Sequence, residues 1–249
     1  MLDITAITIK DILDFVAEHR CPLLVLVLAS AVSVLVLFCV LLFLIASLVT
    51  SYGLPPAKHA NGASAMFVLG SGGHTTELLG IVSQLDFSLY PLRTYVSFSG
   101  DTLSTVRALR LEKDKHETAP ATARGGRRQN VATVELRRAR NVGQSYFTSI
   151  FTSIWCGCEA VVTLIKVMPD IVVCNGPGSC VFICFAALLL RATRIKLTRI
   201  VYIESFARVN SLSLTGRILI SVVDRFIVQW PSLAAQYKHK GVEYFGILA

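Results

Sequence analysis

The hydrophobic positions of this chain fall into two regimes. From Leu23 to Val49, 27 consecutive residues carry no charge, and their only hydroxyls are Ser30, Ser33 and Ser47. As a helix such a run extends about 40 Å, against a hydrocarbon core of about 30 Å. The pattern predicts one tilted transmembrane span. A cleavable signal peptide has an apolar region of only about 7–15 residues behind a short positive stretch. Here 22 residues come first, with Asp3, Asp11, Asp14 and Glu18 set against Lys10 and Arg20. A buried core helix would need protein around all its faces. The expected organisation is an N-terminal segment 1–22, a transmembrane helix 23–49, a linker 50–64 and a domain 65–249.

Beyond the linker, short β-rich runs alternate with helical ones. Strands are predicted at Ala65–Leu69, Thr94–Ser99, Val131–Leu136, Ile171–Cys174, Ile200–Ile203 and Phe226–Gln229, with a closing strand at Val242–Phe245. Helices are predicted at Thr75–Leu85, Thr102–Lys113, Gln144–Val167, Ser179–Ala192, Leu212–Val222 and Pro231–Lys238. In the third of these, Phe147, Ile150, Phe151, Ile154, Cys158, Val161, Val162 and Ile165 recur at three- and four-residue spacing. Strands alternating with helical crossovers predict an α/β fold with a doubly wound parallel sheet. The stretch 114–130 lacks periodicity, gathers Arg124, Arg127 and Arg128 beside Gly125 and Gly126, and reads as a solvated, mobile loop. No aromatics interleave its charges, so no nucleic-acid partner is expected. Ile171–Leu190 is apolar enough to suggest a second span. Asn175, Gly176, Pro177 and Gly178 break it into a buried strand, a loop and a helix.

Composition sharpens this picture. The chain is 53% hydrophobic and 16% charged, with a formal net charge of +8 and a mean hydropathy of +0.61, which excludes a disordered chain. All but two of the 24 Lys and Arg lie after the apolar run, which suits an anionic cytoplasmic leaflet. The roughly 200 residues left after the span amount to one domain. Cys21, Cys39, Cys156, Cys158, Cys174, Cys180 and Cys184 are odd in number and sit mostly in apolar runs, which fits small buried thiols in a reducing compartment better than a disulfide framework. Cys156-x-Cys158 has no matching His or Cys cluster, so no metal is expected.

Three strand-end loops carry candidate chemistry. Gly70-Ser71-Gly72-Gly73-His74-Thr75 opens a helix, where free N–H groups and the helix dipole favour an anion. It is neither a Walker motif nor a dinucleotide fingerprint, because Thr75 stands where the third glycine would be. His74 is its only ionisable side chain, a hydrogen-bond donor to a phosphate or a general base toward a hydroxyl. Asn175-Gly176-Pro177-Gly178-Ser179 follows a buried strand in the same way, and two such loops face one crevice in open α/β sheets. Glu204, in YIESFAR (202–208), ends a third strand, where it can orient a hydroxyl or pair with Arg208. Asp101 is placed to cap the following helix.

Together these loops resemble the membrane-subunit family of the two-part UDP-N-acetylglucosamine transferase of asparagine-linked glycosylation. The resemblance rests on GSGGHTTELL (70–79), PDIVVCNGPGSCV (169–181), VYIESFARVNSLSLTGRIL (201–219) and DRFIVQWPSLAAQY (224–237), with RNVGQSYFTSIFTSIW (140–155) beside them. It covers the chain from about Met66 onward, apart from the loop at 114–130. It implies the N-terminal, acceptor-binding lobe of a bilobal GT-B glycosyltransferase, similar to bacterial MurG. A soluble catalytic partner binding UDP-N-acetylglucosamine would complete it. The pair would add the second N-acetylglucosamine to N-acetylglucosaminyl-diphospho-dolichol on the cytosolic face of the endoplasmic reticulum membrane, with no cofactor.

By this resemblance His74 and Glu204 are the catalytic candidates. Gly70, Ser71, Gly72, Gly73, Thr75, Asn175, Gly176, Pro177, Gly178 and Ser179 would bind the acceptor diphosphate. Tyr244, Phe245, Ile247 and Leu248 would meet the partner. The family's usual Thr in the second loop is Ser179 here. Two other functions stand against this one. One is a structural recruiter that binds no acceptor. The other is a membrane oxidoreductase, which the missing third glycine and the absence of a Tyr-x-x-x-Lys pair disfavour.

Overall fold

Seven short strands, all paired in parallel, form one sheet in the order β3-β2-β1-β4-β5-β6-β7. The structure is a computed structural model that describes residues 62–118, 130–140 and 143–248. The segment 1–22, the span 23–49, nearly all of the linker and residues 119–129 lie outside the described residues.

The strands are β1 (Ser64–Val68), β2 (Leu92–Phe98), β3 (Asn130–Leu136), β4 (Ile171–Asn175), β5 (Arg199–Ile203), β6 (Arg225–Val228) and β7 (Glu243–Tyr244). The helices are α1 (Gly73–Ser83), α2 (Thr102–Thr118), α3 (Tyr146–Val167), α4 (Cys180–Ala192), α5 (Leu214–Leu219) and α6 (Pro231–Gln236). Each predicted strand and helix is present, with ends moved by a few residues.

Successive strand residues point to opposite faces, and β1 shows what that does here. Ala65, Phe67 and Leu69 join Leu78 and Val82 of α1 and Ala108 of α2 on one side. Met66 and Val68 join Cys156, Ala160 and Leu164 of α3 and Ile183 and Leu188 of α4 on the other. Helices therefore cover both faces, and the doubly wound sheet is confirmed. The supposed second span is a buried strand, a loop and a helix.

Buried polar groups fix where α2 and α4 dock. The Arg93 guanidinium is paired with Glu112 at 2.7 Å, and Tyr95 donates to the same carboxylate. Arg191 at the end of α4 pairs with Asp224 just before β6. The predicted loop at 114–130 begins later than expected, because α2 continues to Thr118. Lys113 pairs with Glu117 one turn on, Lys115 lies over the Phe87 ring, and the Thr118 hydroxyl bonds back to the Asp114 carbonyl. These contacts supply what apolar periodicity lacks.

Helix α3 has two unlike sides. Cys156, Ala160 and Leu164 are buried, whereas Ile150, Phe151, Ile154, Trp155, Val162 and Ile165 are exposed. Its segment Thr148–Val167 is long and apolar enough to cross a membrane by length and composition.

Candidate functional site

The chain order reverses between β1 and β4, and ligands of open α/β sheets bind outside the carboxyl ends of the strands at such a point. Both glycine loops lie there. The first follows β1 and enters α1, which packs on one face. The second follows β4 and enters α4, which packs on the other.

The glycines of these loops serve two different purposes. A Cβ on Gly70 would lie 2.5 Å from the His74 Cβ, and one on Gly176 would lie 2.4 Å from the imidazole ring. Gly176 also has φ +79°, a conformation that L side chains rarely adopt. These two residues make room for the His74 side chain, which is wedged between the loops. Gly72, Gly73 and Gly178 have nothing within 4 Å of the equivalent position. They form the open wall of the crevice. Among the described residues, the amides of Gly73, His74 and Thr75 at the start of α1 meet no acceptor, as expected of a helix start. The first turn of α4 differs. Cys180, Val181 and Phe182 donate to the carbonyls of Pro177, Gly178 and Ser179.

His74 is half-buried, and its Nδ1 lies 2.9 Å from Oδ1 of the fully buried Asn175. The Asn175 Nδ2 donates to Glu77 at 3.1 Å. Glu77, one turn along α1 from His74, also accepts from the Ser205 hydroxyl at 2.9 Å and the Phe206 amide at 3.1 Å. It ties the loops after β4 and β5 to α1. Sequence reasoning passed over Glu77. The available signal was its spacing of three from His74, which puts both on one helical face.

Several predicted site residues turn inward. Thr75 is buried, and its hydroxyl bonds to the Gly70 carbonyl and to Ser104. Ser104 is held by Asp101, which caps α2 as expected. Ser179 accepts from the Ala139 amide at 3.3 Å. Ser71 is exposed.

Glu204 is 1% exposed. One carboxylate oxygen accepts from the Ser213 amide and hydroxyl, both at 3.0 Å, and the other accepts from the Ser205 amide at 3.2 Å. Ser213 in turn caps α5. Burial, and the charge of Glu204 next to it, push the Tyr202 hydroxyl well above its ordinary pKa, so it stays protonated. These contacts tie Glu204 to the start of α5 and to Ser205, whose hydroxyl bonds to Glu77, and none of them joins it to His74 directly.

A third region extends this end of the sheet. The Phe206 and Trp230 rings pack at a tilt of 37° with centroids 5.0 Å apart, and Trp230, followed by Pro231 at the first turn of α6, donates to the Phe206 carbonyl. Tyr244, Phe245 and Ile247 are exposed. Leu248 is held at both polar atoms, its amide by Gln229 and its carbonyl by Gln84. Among the described residues no cluster of His, Cys, Asp and Glu is arranged to hold a metal ion.

Known proteins match this chain over the same region. A family model described as "Oligosaccharide biosynthesis protein Alg14 like" matches residues 65–248. The UDP-N-acetylglucosamine transferase subunit ALG14 of Yarrowia lipolytica is 43% identical over 224 residues, 90% of this chain and 98% of that protein. The same-named subunit of Schizosaccharomyces pombe is 43% identical over 183 residues, 72% of this chain and 80% of that protein. The same-named subunit of Homo sapiens is 37% identical over 217 residues, 86% and 94% of the two chains. Among solved structures, Acinetobacter baumannii MurG superposes with a TM-score of 0.47 at 18% identity, covering 68% of this chain and 42% of MurG. The chain belongs to the Alg14-like family of oligosaccharide biosynthesis proteins.

Proposed function

We propose that this chain is the acceptor-side subunit of a two-part UDP-N-acetylglucosamine transferase. It would hold an N-acetylglucosaminyl-diphospho-dolichol while a soluble partner presents the sugar nucleotide. The observation that carries this reading is the crevice between the two glycine loops, with His74 wedged at its centre. The open Gly72, Gly73 and Gly178 let a diphosphate approach the backbone, and the free amides of α1 supply hydrogen bonds and a favourable dipole.

In the reaction, an acceptor hydroxyl attacks the anomeric carbon of UDP-N-acetylglucosamine. The new glycosidic bond forms as the bond to the β-phosphate oxygen breaks, with inversion, and UDP leaves with the electron pair. The hydroxyl proton passes to Nε2 of His74. Glu204 holds the loop after β5 through Ser213 and Ser205. The relatives are named as subunits, which supports a second chain for the nucleotide. Tyr244, Phe245 and Ile247 at the β7 edge are the surface offered to it.

The membrane reading draws on the apolar run at 23–49 and on the outer side of α3. There Arg137 lies 4.9 Å over the exposed Trp155 ring, an arrangement in which a basic head reaches water beside an apolar body in lipid. With a dolichol-linked acceptor and a cytosolic nucleotide sugar, the domain would face the cytosol at the endoplasmic reticulum membrane.

The test uses microsomes containing the full chain with and without the soluble subunit. It measures transfer from labelled UDP-N-acetylglucosamine to a short-chain N-acetylglucosaminyl-diphospho-lipid. Transfer should require both chains. Gly73→Val should still co-purify the partner yet lose transfer. Normal transfer by Gly73→Val would make the chain a recruiter, and transfer without the partner would end the half-enzyme reading.

A further inference from the structure

We infer that Glu77 is a positioning residue that sets the tautomer of His74 through Asn175. The inference rests on the proposed role of His74 as the base and names what prepares it. Glu77 meets three donors, from Asn175, Ser205 and Phe206. An ionised carboxylate only accepts, so the NH₂ end of the Asn175 amide must face Glu77. The carbonyl end then faces His74, 2.9 Å from Nδ1. A carbonyl oxygen also only accepts, so Nδ1 carries the hydrogen. In the neutral ring Nε2 is left with its lone pair, as a general base requires. Asn175 is 0% exposed, so bulk solvent does not compensate the opposite orientation. Glu77 thus fixes the direction of the hydrogen bonds, and the imidazole inherits it.

The polarity can be redesigned without emptying the site. In Glu77→Gln, the amide oxygen can keep the Asn175 and Phe206 donors while the NH₂ end faces the Ser205 hydroxyl, which can rotate to accept. Glu77→Ala frees the Asn175 amide to turn its NH₂ toward His74, which would force the hydrogen onto Nε2. Asn175→Asp sets two carboxylates against each other. In Glu77→Gln/Asn175→Asp a glutamine NH₂ turned toward the aspartate also meets the Phe206 amide, which donates to the same Glu77 oxygen as Asn175. The variant therefore relieves the carboxylate repulsion at the cost of that one bond, while the aspartate still accepts from His74 Nδ1 and adds a negative charge beside the ring.

The charged groups on the surrounding elements are few. Glu77 lies on the same helix. Arg107 of α2 donates to Thr76, and Asp101 is engaged with Ser104. Cys174 and Cys180, on either side of the second loop, face the opposite core.

The experiment measures kcat, acceptor KM and the pH profile of kcat for the complex with the soluble subunit. A wrong tautomer in a triad costs up to about 10⁴-fold. Acting one residue removed, Glu77→Ala should lower kcat by about ten- to a hundredfold, with acceptor KM changed by less than about threefold. Glu77→Gln should keep at least about a third of kcat. The double variant should exceed Asn175→Asp alone and move the acid limb of the profile to higher pH. Partner co-purification and the Glu77→Gln variant separate misfolding from lost chemistry. If Glu77→Gln is as damaging as Glu77→Ala, or the double variant is no better than Asn175→Asp with an unmoved acid limb, Glu77 only clamps loops and the inference is overturned. The reading of His74 as the base fails on a different result, full kcat in His74→Ala.

Discussion

Two glutamates stand at the same end of the sheet, and their carboxylates do different things. Glu77 gathers two side chains and one amide from neighbouring loops, and one of those side chains leads directly to a half-exposed imidazole. Glu204 gathers the amides of Ser205 and Ser213 and is sealed beneath α5. A buried carboxylate at a strand end is therefore not by itself a catalytic group. What decides its role is where its hydrogen bonds lead.

The contrast can be broken most severely at Glu204. Glu204→Ala would leave buried donors at Ser205 and Ser213 without an acceptor. Since each costs about 1–3 kcal/mol, a loss of about 3 kcal/mol or more is expected, read as a large drop in the thermal midpoint of the detergent-solubilised chain. Glu204→Gln tests the geometry more finely. Both Glu204 oxygens face backbone N–H groups, which cannot reverse, so a glutamine NH₂ must oppose one of them. A destabilisation of about 2 kcal/mol is expected, whereas Glu77→Gln should cost less than about 1 kcal/mol. Equal losses in the two glutamine variants would erase the distinction.

Glycines sharpen the same comparison on the His74 side. Gly176→Ala places a methyl against the imidazole and forces an L residue to φ +79°. It should cost about 1–2 kcal/mol from backbone strain, and more from the ring, with the loss seen in both thermal midpoint and transfer. Gly178→Ala meets open space and should change stability by less than about 0.5 kcal/mol. A large drop there would mean that the crevice wall is less open than the geometry shows.

Much of the fold was legible because parallel strands are buried on both faces and punctuated by glycine loops. Runs such as AMFVL and IVVCN, each followed by a Gly-rich turn and a helix, locate β1 and β4 and predict that their loops share a crevice. What the residues could not tell apart was the purpose of each glycine. Gly70 and Gly176 give way to a side chain, while Gly72, Gly73 and Gly178 leave space open, and only packing separates these. Glu77 was hidden for a similar reason. In HTTELL it looks like any solvated helix glutamate, and its partners come from loops about 100 residues or more away. Glu204 looked more promising because it ends a strand, but Ser213 and Gly216, which enclose it, lie a loop away in sequence. The apolar repeat in α3 correctly predicted a helix. Its recurring Ile150, Phe151, Ile154, Val162 and Ile165 form the outer side, while small residues such as Cys156 and Ala160 face the core.

The most direct test of the account is the kinetic split in His74→Ala, assayed as the complex with the soluble subunit on a lipid-diphosphate acceptor. Because a positioned general base contributes about 10²–10⁴-fold, kcat should fall by at least about a hundredfold, with acceptor KM within about threefold of the wild type. Full kcat with only a raised acceptor KM would contradict it, and would leave His74 as a group that binds the acceptor without taking its proton.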